Sequence, residues 1–287
     1  MTLEPVTLEQ IDAWVQRGDF SDALNALMRV NDHDAPDLGQ LLQQFNLEVR
    51  VQRFSQAAAT LERLLVLVPQ AAPAMTALAR NARAEAFATA RLSDRDRAIS
   101  RAGIGAPPPH AVAYVQALVL HAEERYQEAA DVLDKIKAAL PPNPGTLTWR
   151  NGQTARFTHV TDTDDLTGPI MPLYHGEDVL DIAFSQVRSV TMIEARSSFD
   201  AMWMPVELAL TDGQTFKARY PALYPGSAAA PDPMARTAQT TMWNNSLGYA
   251  RALGQRDLAF TKAQGGLIMV GVLQIARLDF DPPAEYR

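Results

Sequence analysis

Three short strings decide how the first half of this 287-residue chain folds: Phe20-Ser21-Asp22-Ala23-Leu24, Phe54-Ser55-Gln56-Ala57-Ala58 and Tyr126-Gln127-Glu128-Ala129-Ala130. Their aromatics lie 34 and then 72 residues apart, which is one repeat unit followed by two of about 36. Each string places an alanine three positions after its aromatic, and a proline closes each unit at Pro36, Pro69 and Pro141. A period of this length is that of stacked helical hairpins. The alanine lets two helices approach closely and the aromatic fills the space beside it. The proline ends the second helix because it has no N–H to donate.

Working outward, the repeat predicts four hairpins, over 7–36, 37–70, 73–102 and 110–140. Trp14 and Gly18 precede Phe20 at tetratricopeptide offsets, the later units lack the Trp, and the unit around Met75–Arg101 has lost its aromatic turn. Thr7-Leu8-Glu9-Gln10 reads as a capping box opening the first helix. Gly103 to Pro109 must be a loop, since it ends in three consecutive prolines.

Composition changes near residue 145. Residues 1–145 hold 28 Ala, 5 Thr and 5 Gly, whereas 146–287 hold 18, 14 and 10. Alanine favours helix, threonine strands and glycine turns. The boundary is Pro141-Pro142-Asn143-Pro144-Gly145, a helix-stopping linker. The expected fold class is therefore α+β: an all-α, tetratricopeptide-like domain over 1–142, then a mixed, strand-rich domain over 146–287. In the second half Asn151-Gly152 and Asp212-Gly213 sit between alternating apolar runs, Leu147–Arg150 with Gln153–Phe157 and Val206–Leu210 with Phe216–Tyr220. Such dipeptides mark tight hairpins because both turn positions need positive φ. Gly265-Gly266 separates Leu258–Phe260 from Leu267–Phe280 in the same way. A small antiparallel sheet with one or two short helices is expected.

Acidic residues number 33 and basic residues 26, giving a net charge of −7. Neither half is a basic arm, which argues against nucleic acid as a partner. The chain has no cysteine, so disulfides, thiolate nucleophiles and Cys-ligated metals are excluded. The start, Met1–Pro5, lacks the look of a signal peptide, and the longest apolar runs, Leu64–Val68 and Leu267–Leu273, fall well short of the roughly 20 residues that span a bilayer. A cytoplasmic protein that does not engage membranes is expected.

Catalytic signatures are missing. GxSxG, Walker A, GxGxxG and HExxH do not occur. Asp162, Asp164 and Asp165 invite a metal or acid–base reading, with His159 and His175 as further ligands for a metal-dependent hydrolase or ligand-binding unit. However, the run lacks the spacing and terminal Glu of a calcium loop, and turn-forming aspartates beside Gly168-Pro169 are the plainer reading. Trp203, Tyr220, Tyr224 and Trp243, with Arg219, Arg236 and Arg256, form either core aromatics with loop-tying arginines or an exposed aromatic–Arg interface patch. No catalytic, cofactor-binding or metal residue is assigned, and a binding protein is expected.

These strings, in order, resemble the ImpE family, also called TagJ, accessory proteins of bacterial type VI secretion. The matching pieces are Asp162-Thr163-Asp164-Asp165, Gly168-Pro169, Asp200–Pro205 with Trp203, Asp212-Gly213, Arg219-Tyr220-Pro221, Tyr224-Pro225-Gly226-Ser227, Arg236 with Thr241 and Trp243, and Leu253-Gly254-Gln255-Arg256. Two departures stand out. Leu166-Thr167 follows the acidic motif where an Arg is usual, and Gly176–Phe184 replaces an aromatic-rich stretch. The resemblance implies a helical array with a family-specific second domain, no enzymatic activity and no cofactor. It also implies cytoplasmic binding to an amphipathic helix of the small contractile-sheath subunit, tuning sheath assembly or recycling. In such an array the first helices of the hairpins, near 7–17, 37–51, 73–89 and 110–124, line the concave face. Arg50, Arg53, Arg80 and Arg83 on or near them are the candidate partner contacts. A self-assembling scaffold is a third reading.

Overall fold

The computed structural model describes residues 7–33, 37–99 and 106–282. Four helical hairpins come first: α1 (Leu8–Arg17) with α2 (Phe20–His33), α3 (Leu38–Arg50) with α4 (Phe54–Leu67), α5 (Ala72–Ala90) with the short α6 (Arg95–Ile99), and α7 (Pro109–Ala122) with α8 (Tyr126–Ala139). The expected closing residue Pro36 and the loop residues 103–105 lie outside the described residues.

The repeated strings work as their spacing predicts. Phe20, Phe54 and Tyr126 each open the second helix of a hairpin, and Ala23, Ala57 and Ala129 are fully buried. The turn before each aromatic is the same Schellman motif, in which two N–H groups fold back onto the last carbonyls of the first helix. Asp19, Arg53 and Arg125 donate to the carbonyls of Trp14, Glu48 and Leu120, and Gly18, Gln52 and Glu124 donate to Val15, Val49 and His121. The motif needs a left-handed residue two positions before the aromatic, and these are Gly18 (φ 81°), Gln52 (φ 60°) and Glu124 (φ 59°). The α5–α6 connection lacks this turn, which is why the repeat skips a unit. Thr7 with Gln10 forms the expected capping box, and Asp37 with Gln40 forms a second.

The second half builds β1 (Gly145–Trp149), β2 (Thr154–Asp162), β3 (Ile170–His175), β4 (Asp178–Ala183), β5 (Val187–Met192), α9 (Ser198–Met202), β6 (Trp203–Leu210), β7 (Thr215–Pro221), α10 (Pro233–Arg236), β8 (Thr241–Asn244), β9 (Arg251–Gly254), β10 (Asp257–Lys262), β11 (Leu267–Gly271) and β12 (Ile275–Phe280). The sheet is not small. Ten antiparallel strands run in the order β11-β10-β2-β1-β12-β5-β6-β7-β3-β4, with β8 and β9 forming a separate ribbon. A sheet this wide must curl. It does, since Phe260 and Val270 near one edge share a single core with Leu173, Leu180 and Ile182 at the other. All three dipeptide hairpins form. The stretch 267–280 is two strands, however. After β11 the chain turns through Val272–Gln274 and crosses as β12 to pair with β1 and β5. Gly271 marks that corner, and a Cβ there would run into the Gln255 side chain.

One hairpin, not anticipated from the sequence, joins the two halves. β3 and β4 are buried on both faces and so read as near-continuous apolar runs. Met171, Leu173, Leu180 and Ile182 face the sheet core. Tyr174 and Val179 pack with Phe45, Phe54 and Ala82, while Ile170 and Ala183 pack with Tyr114 and Leu118. The stretch 179–184 is thus an internal seam between sheet and helices, and the turn before it, 176–178, is exposed.

Glu124→Gly tests the repeated turn. Left-handed backbone costs a non-glycine residue about 1 kcal/mol, so this variant should be more stable by roughly 0.5–1 kcal/mol in a urea titration. Gln52→Gly should gain less, because Gln52 also accepts a hydrogen bond from the Gly226 N–H at 2.9 Å.

Candidate functional site

The sequence-marked residues converge on the ends of the strands. Arg256, almost wholly buried, precedes β10. Its guanidinium reaches Asp162 Oδ2 at 2.5 Å and the Pro221 carbonyl at 3.1 Å, and lies 4.6 Å over the Tyr224 ring and 5.6 Å from that of Tyr220. Tyr224 Oη donates to Asp162 Oδ1 at 2.6 Å. Burial raises the Asp162 pKa above its ordinary value although Arg256 opposes it, and the Asp162 carboxylate keeps Arg256 charged.

The neighbouring acids are engaged as well. Asp164 receives Arg251 Nε at 2.9 Å and the Ala252 N–H at 3.0 Å. Asp165 receives the Ala250 N–H at 2.7 Å and Lys137 of α8 at 2.9 Å. His159 lies on β2 beside His110, and His175 at the end of β3 bonds the Lys217 carbonyl. Among the described residues no group of three His, Asp or Glu side chains is arranged to hold a metal. The metal-hydrolase alternative therefore finds no support; Asp162 and Asp164 accept the N–H groups of Asp164 and Leu166, two residues on, as turn-forming aspartates do, and also hold distant partners.

The remaining marked residues are mostly internal. Trp203 is buried and donates to Glu85 of α5 at 3.0 Å. Arg219 pairs with Asp200 at 2.6 Å. Gly226 (φ 88°) turns the loop that meets Gln52, and Gln255 packs on Gly271. Trp243 alone among these aromatics is exposed, with its indole N–H on Thr163 Oγ1 at 3.2 Å. Arg236 on α10 is half-buried.

Contacts between the halves come largely from the first helices of the hairpins, beside those already named from Phe54 of α4 and Lys137 of α8. Phe45 of α3 meets Phe199, Glu85 and Arg91 at α5 meet Trp203 and Asp181, and His110 and His121 of α7 meet Ser185 and Tyr249. These inner faces of α3, α5 and α7 are covered by the chain's own strands and loops. Of the four arginines expected at a partner surface, Arg53 and Arg80 are exposed, Arg83 ion-pairs with Glu62 and Glu177, and Arg50 is half-buried over Phe20.

The outer side of the last hairpin is open. Two adjoining depressions of about 640 and 610 Å³ share Gln116, Val132 and Lys135 between α7 and α8. Val112, Val115 and Val119 run along the exposed side of α7 at helical spacing, while Tyr114, Ala117 and Leu118 fill its buried side. That stripe was readable from the sequence, since a helix that is apolar all round must bury or offer both faces. The buried partners Glu85, Arg91 and His121 carried no comparable signal, because only tertiary structure sets their environment.

The family model described as ImpE protein matches residues 154–286, the strand-rich half almost entire. That half of the chain is similar to the ImpE family. It is 28% identical over 180 residues to the type VI secretion system accessory component TagJ of Pseudomonas aeruginosa, an alignment covering 62% of this chain and 59% of that protein. Its fold is that of the crystal structure of protein VPA1032 from Vibrio parahaemolyticus, with a TM-score of 0.79 at 15% identity, over 97% of this chain and 100% of the other. No described helix is long and apolar enough to cross a membrane.

Two buried charges test the seam. Arg91 bonds Asp181 through two N–H groups, at 2.6 and 3.1 Å, both side chains being at most 4% exposed. Arg91→Met strands the Asp181 charge and should cost about 3–5 kcal/mol, most of it recovered in Arg91→Met/Asp181→Leu, read by chemical denaturation. Glu85 faces Trp203 and Tyr174 in full burial, which pushes its pKa up to about 7. A carboxyl raised in the folded state stabilises below its unfolded pKa, and that stability is lost as pH rises to 7. Stability should fall by about 3 kcal/mol between pH 4.5 and 7 on this account, and Glu85→Gln should flatten the fall.

Proposed function

We propose that this chain is a non-enzymatic accessory component of a type VI secretion system, acting in the cytoplasm by holding an amphipathic helix of the small contractile-sheath subunit. Kinship with TagJ supports the system. The open α7–α8 groove supports the mode of binding, and it is the observation that carries the reading. Amphipathic helices dock through apolar side chains at i, i+3, i+4 and i+7, and Val112, Val115 and Val119 offer a matching stripe. The rim carries charges of both signs, Arg95, Arg125 and Lys135 with Glu123, Glu128 and Asp131, suited to the polar flanks of such a helix. A helix held there is withheld from other sheath contacts, so binding alone controls assembly or recycling without any chemistry. The partner takes the outer side of the array, because the inner faces of α3, α5 and α7 already carry the sheet.

Calorimetry with the purified small sheath subunit tests this. Wild-type protein should bind it. Val112→Asp, at an exposed position of the stripe, should weaken binding tenfold or more, about 1.4 kcal/mol; Val115→Asp and Val119→Asp should do the same, with thermal unfolding confirming that they are folded because both side chains also pack against the core of the hairpin. A wild-type protein with no measurable affinity would remove the reading.

A further inference from the structure

In the second hairpin, α3 and the loops around α10 line a crevice of about 150 Å³. Asn46, Arg50, Met202, Leu223, Arg236 and Leu273 line it. Six described arginines are buried or half-buried, and four of them, Arg91, Arg219, Arg251 and Arg256, face a carboxylate. The other two, Arg50 and Arg236, have none among the described residues, and both line this crevice. Arg50 lies with its guanidinium 4.9 Å over the Phe20 ring, a contact that occupies one face and leaves the N–H edges unspent. Its pKa is lowered by burial, with no acid opposing. Arg236 Nε is buried without a hydrogen-bond partner. A buried donor left unmade is costly, and a chain with 33 acidic residues has no shortage of carboxylates to supply.

We propose that this crevice receives the C-terminal residue of a partner protein, an aliphatic residue bearing a free carboxylate. Planar guanidinium groups match carboxylate oxygens in paired hydrogen bonds. The remaining walls, Met202, Leu223 and Leu273, are apolar. A C-terminal aliphatic residue presents both chemistries from one α-carbon. Inorganic phosphate brings no apolar body, and an internal Asp or Glu brings only one or two methylenes. The volume equals about five waters at roughly 30 Å³ each, room for one residue and below the roughly 300–1,000 Å³ of small-molecule sites. Asn46 adds a backbone reader: its Nδ2 donates to the Leu42 carbonyl at 2.9 Å, leaving Oδ1 to accept the terminal residue's N–H. The crevice shares no residue with the α7–α8 groove, so this is a second docking point, independent of the sheath helix.

The test is a titration of ¹⁵N-labelled full-length protein with N-acetyl-leucine, read at the Arg50 and Arg236 Nε–Hε signals and assigned with Arg50→Gln and Arg236→Gln. Both signals should move saturably with N-acetyl-leucine and stay still with N-acetyl-leucinamide. Each variant should weaken binding tenfold or more, while Arg80→Gln should bind as wild type does. The absence of a saturable shift overturns the proposal. So does equal or tighter binding of phosphate, or of N-acetyl-glutamate α-amide, which would reassign the crevice to a free anion or an internal acidic residue. Thermal unfolding confirms that the variants are folded, and if one is not, the wild-type signals decide alone.

Discussion

The fold hangs on the burial of one guanidinium. Arg256 precedes β10, which with β2 lies near one edge of the ten-strand order, while its side chain takes the carbonyl of Pro221 at the end of β7, near the other edge. Its backbone makes the same crossing, with its N–H on the Ala222 carbonyl at 2.7 Å. The residue thus ties together parts of the sheet that strand pairing alone leaves apart, and it holds the curl. A charge so placed must be matched. Asp162 supplies the counter-charge, and Tyr224 fills the second oxygen of that carboxylate. Removing any one of the three leaves a buried polar group unpaired, which costs far more than the contact itself contributes. That asymmetry gives a physical reason for Asp162, Tyr224 and Arg256 to lie in different sequence strings and yet work as one unit.

What the sequence made legible follows from how local each signal is. The Schellman turn, the buried alanine and the opening aromatic fall within ten residues, so the hairpins could be read from Phe20, Phe54 and Tyr126. Asn151-Gly152 and Asp212-Gly213 fixed two strand pairs for the same reason. The crossing of β12 between β1 and β5 could not be read. It depends on which edges are free once the sheet curls, and nothing in Leu267–Phe280 encodes that beyond the break at Gly271. The candidate sites divide in the same way. Asp162, Asp164 and Asp165 are visible as a cluster, but their partners Arg256, Arg251 and Lys137 come from distant segments, so the sequence alone does not separate a metal site from turn-forming aspartates.

The seam between the layers explains the composition of the stretch 179–184. Its alternation is kept, with Leu180 and Ile182 towards the sheet core and Val179, Asp181 and Ala183 towards the helices. What the helices require there is apolar bulk, plus one carboxylate for Arg91. Asp178–Ala183 supplies both, through aliphatic residues and Asp181.

The same seam decides where a partner can bind at low cost. In an open helical solenoid the concave face is free, and a peptide laid there displaces only water. Here that face is already committed. A partner helix competing for it would have to part Arg91 from Asp181 and Glu85 from Trp203, exposing half-pairs that are expensive in a dry interface. The outer side of α7 and α8 imposes no such cost. Val115, Val119 and Val132 already meet water, and covering them gains transfer free energy of about 25 cal/mol per Å² with nothing to displace. A sheet fused to a helical array therefore does more than add a second layer: by covering the inner faces of α3, α5 and α7, it leaves the outer side of α7 and α8 as an open apolar surface.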